Sequence, residues 1–216
     1  MIHQLSPKGT KLLDHYTTMA QEGYNAVDGT FVPADYVYNS FELKKYLKFV
    51  KEVLASSKSV LDYGCGGSNW YSSSFIPSEQ KSALDYFELD VVHMYEPARG
   101  IDERQRVDTV VCFDVLEHLF IQDVPRVLEE IYSLATHSVL FNIAGYEAQA
   151  LLPNGENAHT TVRPALWWKG VLDMVSLRYP DVETHILYSA SPEQAGIINP
   201  WKASTWINSD TFVTKA

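Results

Sequence analysis

The chain's 216 residues are 46% hydrophobic and 20% charged, enough for a domain that withdraws roughly 70% of its unfolded surface from water, which excludes a disordered or fibrous polypeptide. With 17 Lys and Arg against 27 Asp and Glu the net charge is −10, so tight, sequence-independent nucleic-acid binding is disfavoured. Two cysteines, Cys65 and Cys112, are too few for a disulfide scaffold or an all-cysteine metal site.

Met1 to Lys8 lacks the apolar core of a signal peptide, and no run is long and apolar enough for a membrane span. The expectation is a cytoplasmic protein without membrane contact, monomeric or homodimeric. No internal repeat or long Gly/Ser/Pro linker divides the chain. One domain is therefore expected, with a helical N-terminal segment (1–57), a strand-bearing core (58–145), and a loop, helix and terminal strands (146–216).

A helix is expected from Asn39, with Leu43, Leu47, Val50 and Leu54 on one face and Asn39 and Glu42 spaced as a capping box. Ser56-Ser57 ends it. Ser59 to Tyr63 reads as a buried strand running into Gly64-Cys65-Gly66-Gly67, where the chain can turn tightly. Between Ser68 and Leu89 the pattern supports only broken helix. Asp90 to Glu96 reads as a second strand stopped by Pro97, and Val107 to Phe113 as a third that empties into Asp114. Asp123 is placed to cap a helix carrying Val124, Val127, Leu128, Ile131 and Leu134. His137 to Ile143 is the next strand. A polar loop from Tyr146 to Thr161 precedes a helix from Pro164 to about Tyr179, followed by strands at Thr184–Tyr188 and Thr211–Thr214. Strands alternating with helices predict a mostly parallel α/β sheet covered on both faces.

In such a sheet, ligands gather beyond the carboxyl ends of the central strands. The glycine turn leaves room for an extended nucleotide-like ligand, and Glu96 ends its strand where a carboxylate accepts two ribose hydroxyl protons. The glycine spacing is neither a dinucleotide fingerprint nor a P-loop. Each feature alone also reads as an ordinary turn or a surface acid.

Taken in order, Leu61-Asp62-Tyr63-Gly64-Cys65-Gly66-Gly67, Tyr95-Glu96-Pro97-Ala98 and Phe113-Asp114-Val115-Leu116-Glu117-His118 resemble class I S-adenosylmethionine-dependent methyltransferases, in particular small bacterial and phage methyltransferase-like proteins. The resemblance implies a Rossmann-like methyltransferase fold, with 58–145 as its cofactor-binding core and S-adenosylmethionine as its cofactor. It implies that Asp62, Gly64, Cys65 and Gly66 surround the methionine and ribose portions, that Glu96 holds the ribose, and that Asp114 and Val115 lie where cofactor and substrate meet. The interval from Ala98 to Asp108 is too short for the family's usual helix and third strand. The region between the second and fourth strands is therefore expected to be truncated, and Asp102 is the acid left there to meet adenine.

On the acceptor side, Asn142, Tyr146, Asn157, His159, Trp167 and Trp168 combine an imidazole with amides and aromatic surfaces suited to a small-molecule or nucleotide-like substrate. His159 is the candidate general base, with substrate positioning as its other reading. His118 is the second candidate and equally reads as a packed, hydrogen-bonded histidine. Trp167-Trp168 equally reads as a core anchor. His137, His159 and His185 lack metal-ligand spacing, so no metal is expected. Methyl transfer to such an acceptor is the expected function; the alternative is a noncatalytic nucleotide or S-adenosylmethionine binding module that supports a partner protein.

Overall fold

The computed structural model describes residues 5–39, 41–202 and 212–213. It opens with a helix that the apolar spacing leaves unmarked, α1 (Pro7–Glu22), where Ser6 accepts from the Gly9 N–H and Pro7 takes the first turn. A small antiparallel hairpin, β1 (Tyr24–Asn25) with β2 (Phe31–Val32), follows. The helix expected from Asn39 starts later: Glu42–Tyr46 is a 3-10 helix, and α2 spans Leu47–Leu54. Tyr38 has φ +52° and Asn39 donates its side-chain amide to Asp35 O at 3.4 Å, so the proposed capping box does not form.

The next strands are β3 (Ser59–Tyr63), then, after the single-turn helix α3 (Ala83–Tyr86), β4 (Val91–Glu96), β5 (Ile101–Asp102) and β6 (Val107–Phe113). Helix α4 (Val124–Leu134), β7 (Ala135–Ala144), α5 (Ala165–Ser176), β8 (Glu183–Ser191), β9 (Gln194–Trp201) and β10 (Phe212–Val213) complete the order. Thr211 and Thr214 of the last expected strand lie outside the described residues.

Among the described residues the main sheet runs β5-β4-β3-β6-β7-β8-β9-β10. Strands β4, β3, β6, β7 and β8 pair in parallel, and the two edges are antiparallel. This is an α/β, Rossmann-like sheet. Its register explains the continuous apolar runs, because both faces are covered and neighbouring residues serve opposite sides. On β6, Val110 packs with α4 and α5 through Leu128, Ile131, Trp168 and Leu172, while Val111 packs with Val50, Leu54, Trp70 and Phe87. The third apolar cluster joins Leu12 and Met19 of α1 to Val37, Leu152 and Ala158.

Two details position the site. The chain moves from β3 to β4 on one side and to β6 on the other, so the crevice between their carboxyl ends is the switch point at which open α/β sheets take ligands. Beyond β4 the truncation is real: a 3-10 turn at Pro97–Arg99, Gly100 at φ +69°, and the two residues of β5 laid antiparallel on β4 stand there. Helix α1 packs on that turn, and Arg99 Nη2 donates to Val37 O at 2.6 Å. Asp123 stands before α4 but makes no side-chain cap bond; its carboxylate accepts instead from Ser6 N at 2.8 Å and Ser6 Oγ at 2.7 Å. The acid expected to cap α4 therefore fastens the start of α1.

Candidate functional site

The glycine turn and Glu96 meet at the tips of β3 and β4. Gly64 N and Cys65 N donate to Tyr95 O at 2.7 and 3.0 Å, which ties the turn to the end of β4. Glu96 Oε2 then accepts from Gly66 N at 3.0 Å, and Oε1 accepts from Ala98 N at 3.1 Å. Burial raises the Glu96 pKa, opposed by those two N–H groups and by Arg99. At Gly64, φ is +79° and an added Cβ would stand 2.3 Å from Val115 Cγ2. The turn is thus closed to side chains by the residue that follows Asp114. Outside it, Gly67 N donates to Tyr38 O at 2.6 Å, so the N-terminal segment covers the turn.

Asp62 is buried below the turn, where its Oδ2 accepts from Trp70 Nε1 at 2.8 Å. Burial pushes its pKa up to about 6 against the Trp70 and Ser68 bonds that favour the charge. Cys65 is also buried, and burial followed by the Asp62 and Glu96 charges pushes its thiol up to about 12, a form inert as a nucleophile.

Next to Glu96 lies a cavity of about 750 Å³, bounded by Thr17 and Gln21 of α1, by Asp35 and Asn39, and by Pro97 and Arg99. Helix α1 thereby walls the space left by the truncation. Asp102 does not reach it: its two oxygens accept from Arg104 Nε at 2.8 Å and Nη2 at 2.6 Å on the exposed edge, and these bonds lower its pKa.

At the tip of β6, Asp114 Oδ1 accepts from Asn142 Nδ2 at 2.7 Å. Asn142 was expected to face substrate, but only 2% of it is exposed and its Oδ1 accepts from Ser189 Oγ at 3.3 Å. Its amide is occupied in holding Asp114.

A family model described as "Methyltransferase domain" matches residues 38–191. The chain belongs to the methyltransferase domain family. No curated protein and no solved structure gave a match. The stretch matched in this methyltransferase domain contains the glycine turn, Glu96, Asp114 and all of β3 to β8. It begins at Tyr38, where the chain comes to lie on the glycine turn.

Two histidines of the methyltransferase domain, His118 and His159, sit in a cluster with Tyr16. His118 Nδ1 is 3.1 Å from Ala158 O, an atom that only accepts, so Nδ1 carries the proton. Tyr16 donates to the same carbonyl at 2.6 Å. Burial, then His159, pushes the His118 pKa down to about 3, and the ring stays neutral at physiological pH. That arrangement matches the packed, hydrogen-bonded alternative. His159 crosses the His118 ring edge-on at 4.6 Å and donates Nδ1–H to Tyr146 O at 2.5 Å. Its Nε2 therefore bears the lone pair and makes no hydrogen bond among the described residues. Burial lowers its pKa, opposed by the Tyr146 carbonyl.

Asn157 pins the loop: its Oδ1 accepts from Ala148 N at 2.9 Å and His159 N at 3.0 Å, and its Nδ2 donates to Ala148 O at 2.9 Å. It orients His159 with its amide fully engaged. Trp168 is fully buried in the main core, with no surface to offer a substrate, and half-buried Trp167 meets it edge-on at 4.9 Å. The paired tryptophans anchor α5 to the sheet. Glu117 is fully buried as well: Oε1 accepts from Ala144 N at 2.7 Å, Oε2 has no hydrogen-bond partner among the described residues, and burial followed by Asp114 raises its pKa well above the usual range. The sequence signal for Glu117 is its place three residues after Asp114. Among the described residues, no group of His, Cys, Asp and Glu is arranged for a metal ion, and no helix is long and apolar enough to cross a membrane.

Proposed function

We propose that this methyltransferase domain transfers the methyl group of S-adenosylmethionine to a small-molecule acceptor. The observation that carries the reading is the direct bond from Gly66 N to Glu96 Oε2, which joins a turn closed to side chains to a carboxylate suited to two ribose hydroxyls. Glu96, Gly64 and Gly66 would hold the sugar and the methionine portion, and the cavity between α1 and the Pro97–Arg99 turn has room for the base. When bound, the cofactor supplies an electrophilic methyl on a cationic sulfur. Burial raises the pKa values of Asp62, Glu96 and Asp114, and a cation bound there would favour their charged forms.

Calorimetry with S-adenosylhomocysteine tests this reading. Wild type is expected to bind and Glu96→Ala to lose about tenfold or more in affinity, the scale of a charge-assisted hydrogen bond to a hydroxyl. A folded wild-type protein that binds neither S-adenosylmethionine nor S-adenosylhomocysteine defeats it.

His159, with Nδ1–H committed to Tyr146, would offer the acceptor a hydrogen-bond-accepting Nε2. Its lowered pKa makes it a weak base, so orientation is its stronger role. His159→Gln is expected to cut turnover by about tenfold to a hundredfold and leave cofactor affinity within a factor of about two. Equal turnover of the variant on the true acceptor removes His159 from the site.

A further inference from the structure

Asp114 has φ +54°, a backbone angle that side chains seldom adopt. Two bonds to Asn142 hold it there: Asp114 N donates to Asn142 O at 3.0 Å, and Asp114 Oδ1 accepts from Asn142 Nδ2 at 2.7 Å. The chain of bonds continues, with Asn142 Oδ1 accepting from Ser189 Oγ at 3.3 Å and the Tyr46 hydroxyl 3.3 Å from Ser189 Oγ. Because the Ser189 proton is committed to Asn142, Tyr46 is the donor to Ser189. Three donors in series, from the N-terminal 3-10 turn and the tips of β8 and β7, thus point towards one carboxylate oxygen. The other oxygen, Oδ2, makes no hydrogen bond among the described residues.

We infer that Asp114 is a further catalytic residue whose Oδ2 binds the ammonium group of a small amine acceptor and takes one proton from it before methyl transfer. This rests on the cofactor reading above. The proton balance is simple: ammonium and carboxylate become neutral amine and carboxylic acid, and the nitrogen regains the lone pair that makes it a nucleophile.

The surroundings select an amine over a hydroxyl. The negative charge that bears on Asp114 is Glu42, and Lys45 is already ion-paired with Glu42, while the buried Glu117, its pKa raised well above the usual range, holds its proton. An acceptor that had to become an oxyanion would meet the Asp114 and Glu42 carboxylates with the same sign of charge, whereas an ammonium is attracted. Glu117 adds a buried oxygen, Oε2, that has no hydrogen-bond partner among the described residues. Tyr46 and Tyr146 bring aromatic rings into the same group, and ring faces attract cations. Burial and Glu42 also push the Asp114 pKa up to about 7, so that it holds a proton more firmly than an ordinary carboxylate.

The test titrates benzylammonium chloride, with benzyl alcohol as its neutral match, into protein saturated with S-adenosylhomocysteine, saturation being verified for each variant. Wild type is expected to bind benzylammonium in preference to the alcohol. Asp114→Asn, and Asp114→Gly, which suits the backbone angle, are each expected to weaken benzylammonium about tenfold or more. Ser189→Ala and Tyr46→Phe should retain binding but move its pH midpoint upward, since fewer donors then stabilise the anion. Failure of wild type to bind benzylammonium, equal binding of benzyl alcohol, or unaltered binding by both Asp114 variants overturns the inference. If S-adenosylhomocysteine itself does not bind, the cofactor reading fails, and the same titration on ligand-free protein decides Asp114 separately.

Discussion

Gly64→Ala is expected to lower folding stability by about 2–5 kcal/mol and to remove the proposed cofactor affinity, the first from strain and the second from loss of the turn's shape. The new methyl would sit 2.3 Å from Val115 Cγ2 on a backbone at φ +79°. An L-residue in that region costs about 1–2 kcal/mol, and crowding into a packed place adds about 1–3 kcal/mol. The two terms separate experimentally. Val115→Ala in the same chain removes the obstructing methyls and should recover the crowding part only, as read from urea unfolding. Gly100→Ala is the control, because its φ is +69° but no atom lies within 4 Å of the added Cβ. It should cost the conformational part alone, about 1–2 kcal/mol. A Gly64→Ala protein no less stable than Gly100→Ala would mean that Val115 gives way and the turn is not closed.

The central strands were legible because their signal is local. Ser59–Tyr63 and Val107–Phe113 form over the residues their apolar runs mark, each ended by a turn residue, and Glu96 ends β4 as expected. What escaped depends on contacts between distant segments. Asn39 has the spacing of a cap, yet the neighbouring chain bends at Tyr38 to lie on a glycine turn that the local pattern does not know about. Asp123 fails to cap α4 because the remote Ser6 takes both its oxygens. Adjacent tryptophans on a helix point about 100° apart, so Trp167 and Trp168 could not share one surface, and only packing decides that Trp168 is the buried one. Asn142 is polar at a strand end, which reads as a site residue; that its amide is turned to Asp114 and Ser189 follows from the β6-β7-β8 register. The glycine turn, Glu96 and Asp114 could thus be named one by one from sequence, while the wall supplied by α1 required the fold.

Asp62→Asn is expected to make the ligand-free protein more stable above neutral pH and to leave its stability unchanged in acid. Burial raises Asp62 from 3.8 to about 6. Below about pH 4 the carboxyl is protonated in both the folded and the unfolded chain, and burial carries no charge penalty. Between about pH 4 and 6 the unfolded chain releases this proton while the folded chain retains it, so stability falls as pH rises. The full loss above that window is about 3 kcal/mol. Asparagine is neutral throughout and still offers Trp70 Nε1 an acceptor oxygen, so the variant should gain up to about 3 kcal/mol near pH 8 and nothing below pH 4. Asp114, raised to about 7, shifts in the same direction, and the variant should therefore keep a shallower decline across its own window. Urea unfolding of both proteins across pH reads the difference directly. Coincident curves would show that Asp62 ionises in the folded protein as it does in water. The predicted gain would mark a trade of stability for function: the charge is held beneath the glycine turn although the fold would be more stable without it, and the cationic cofactor proposed above would supply the missing partner.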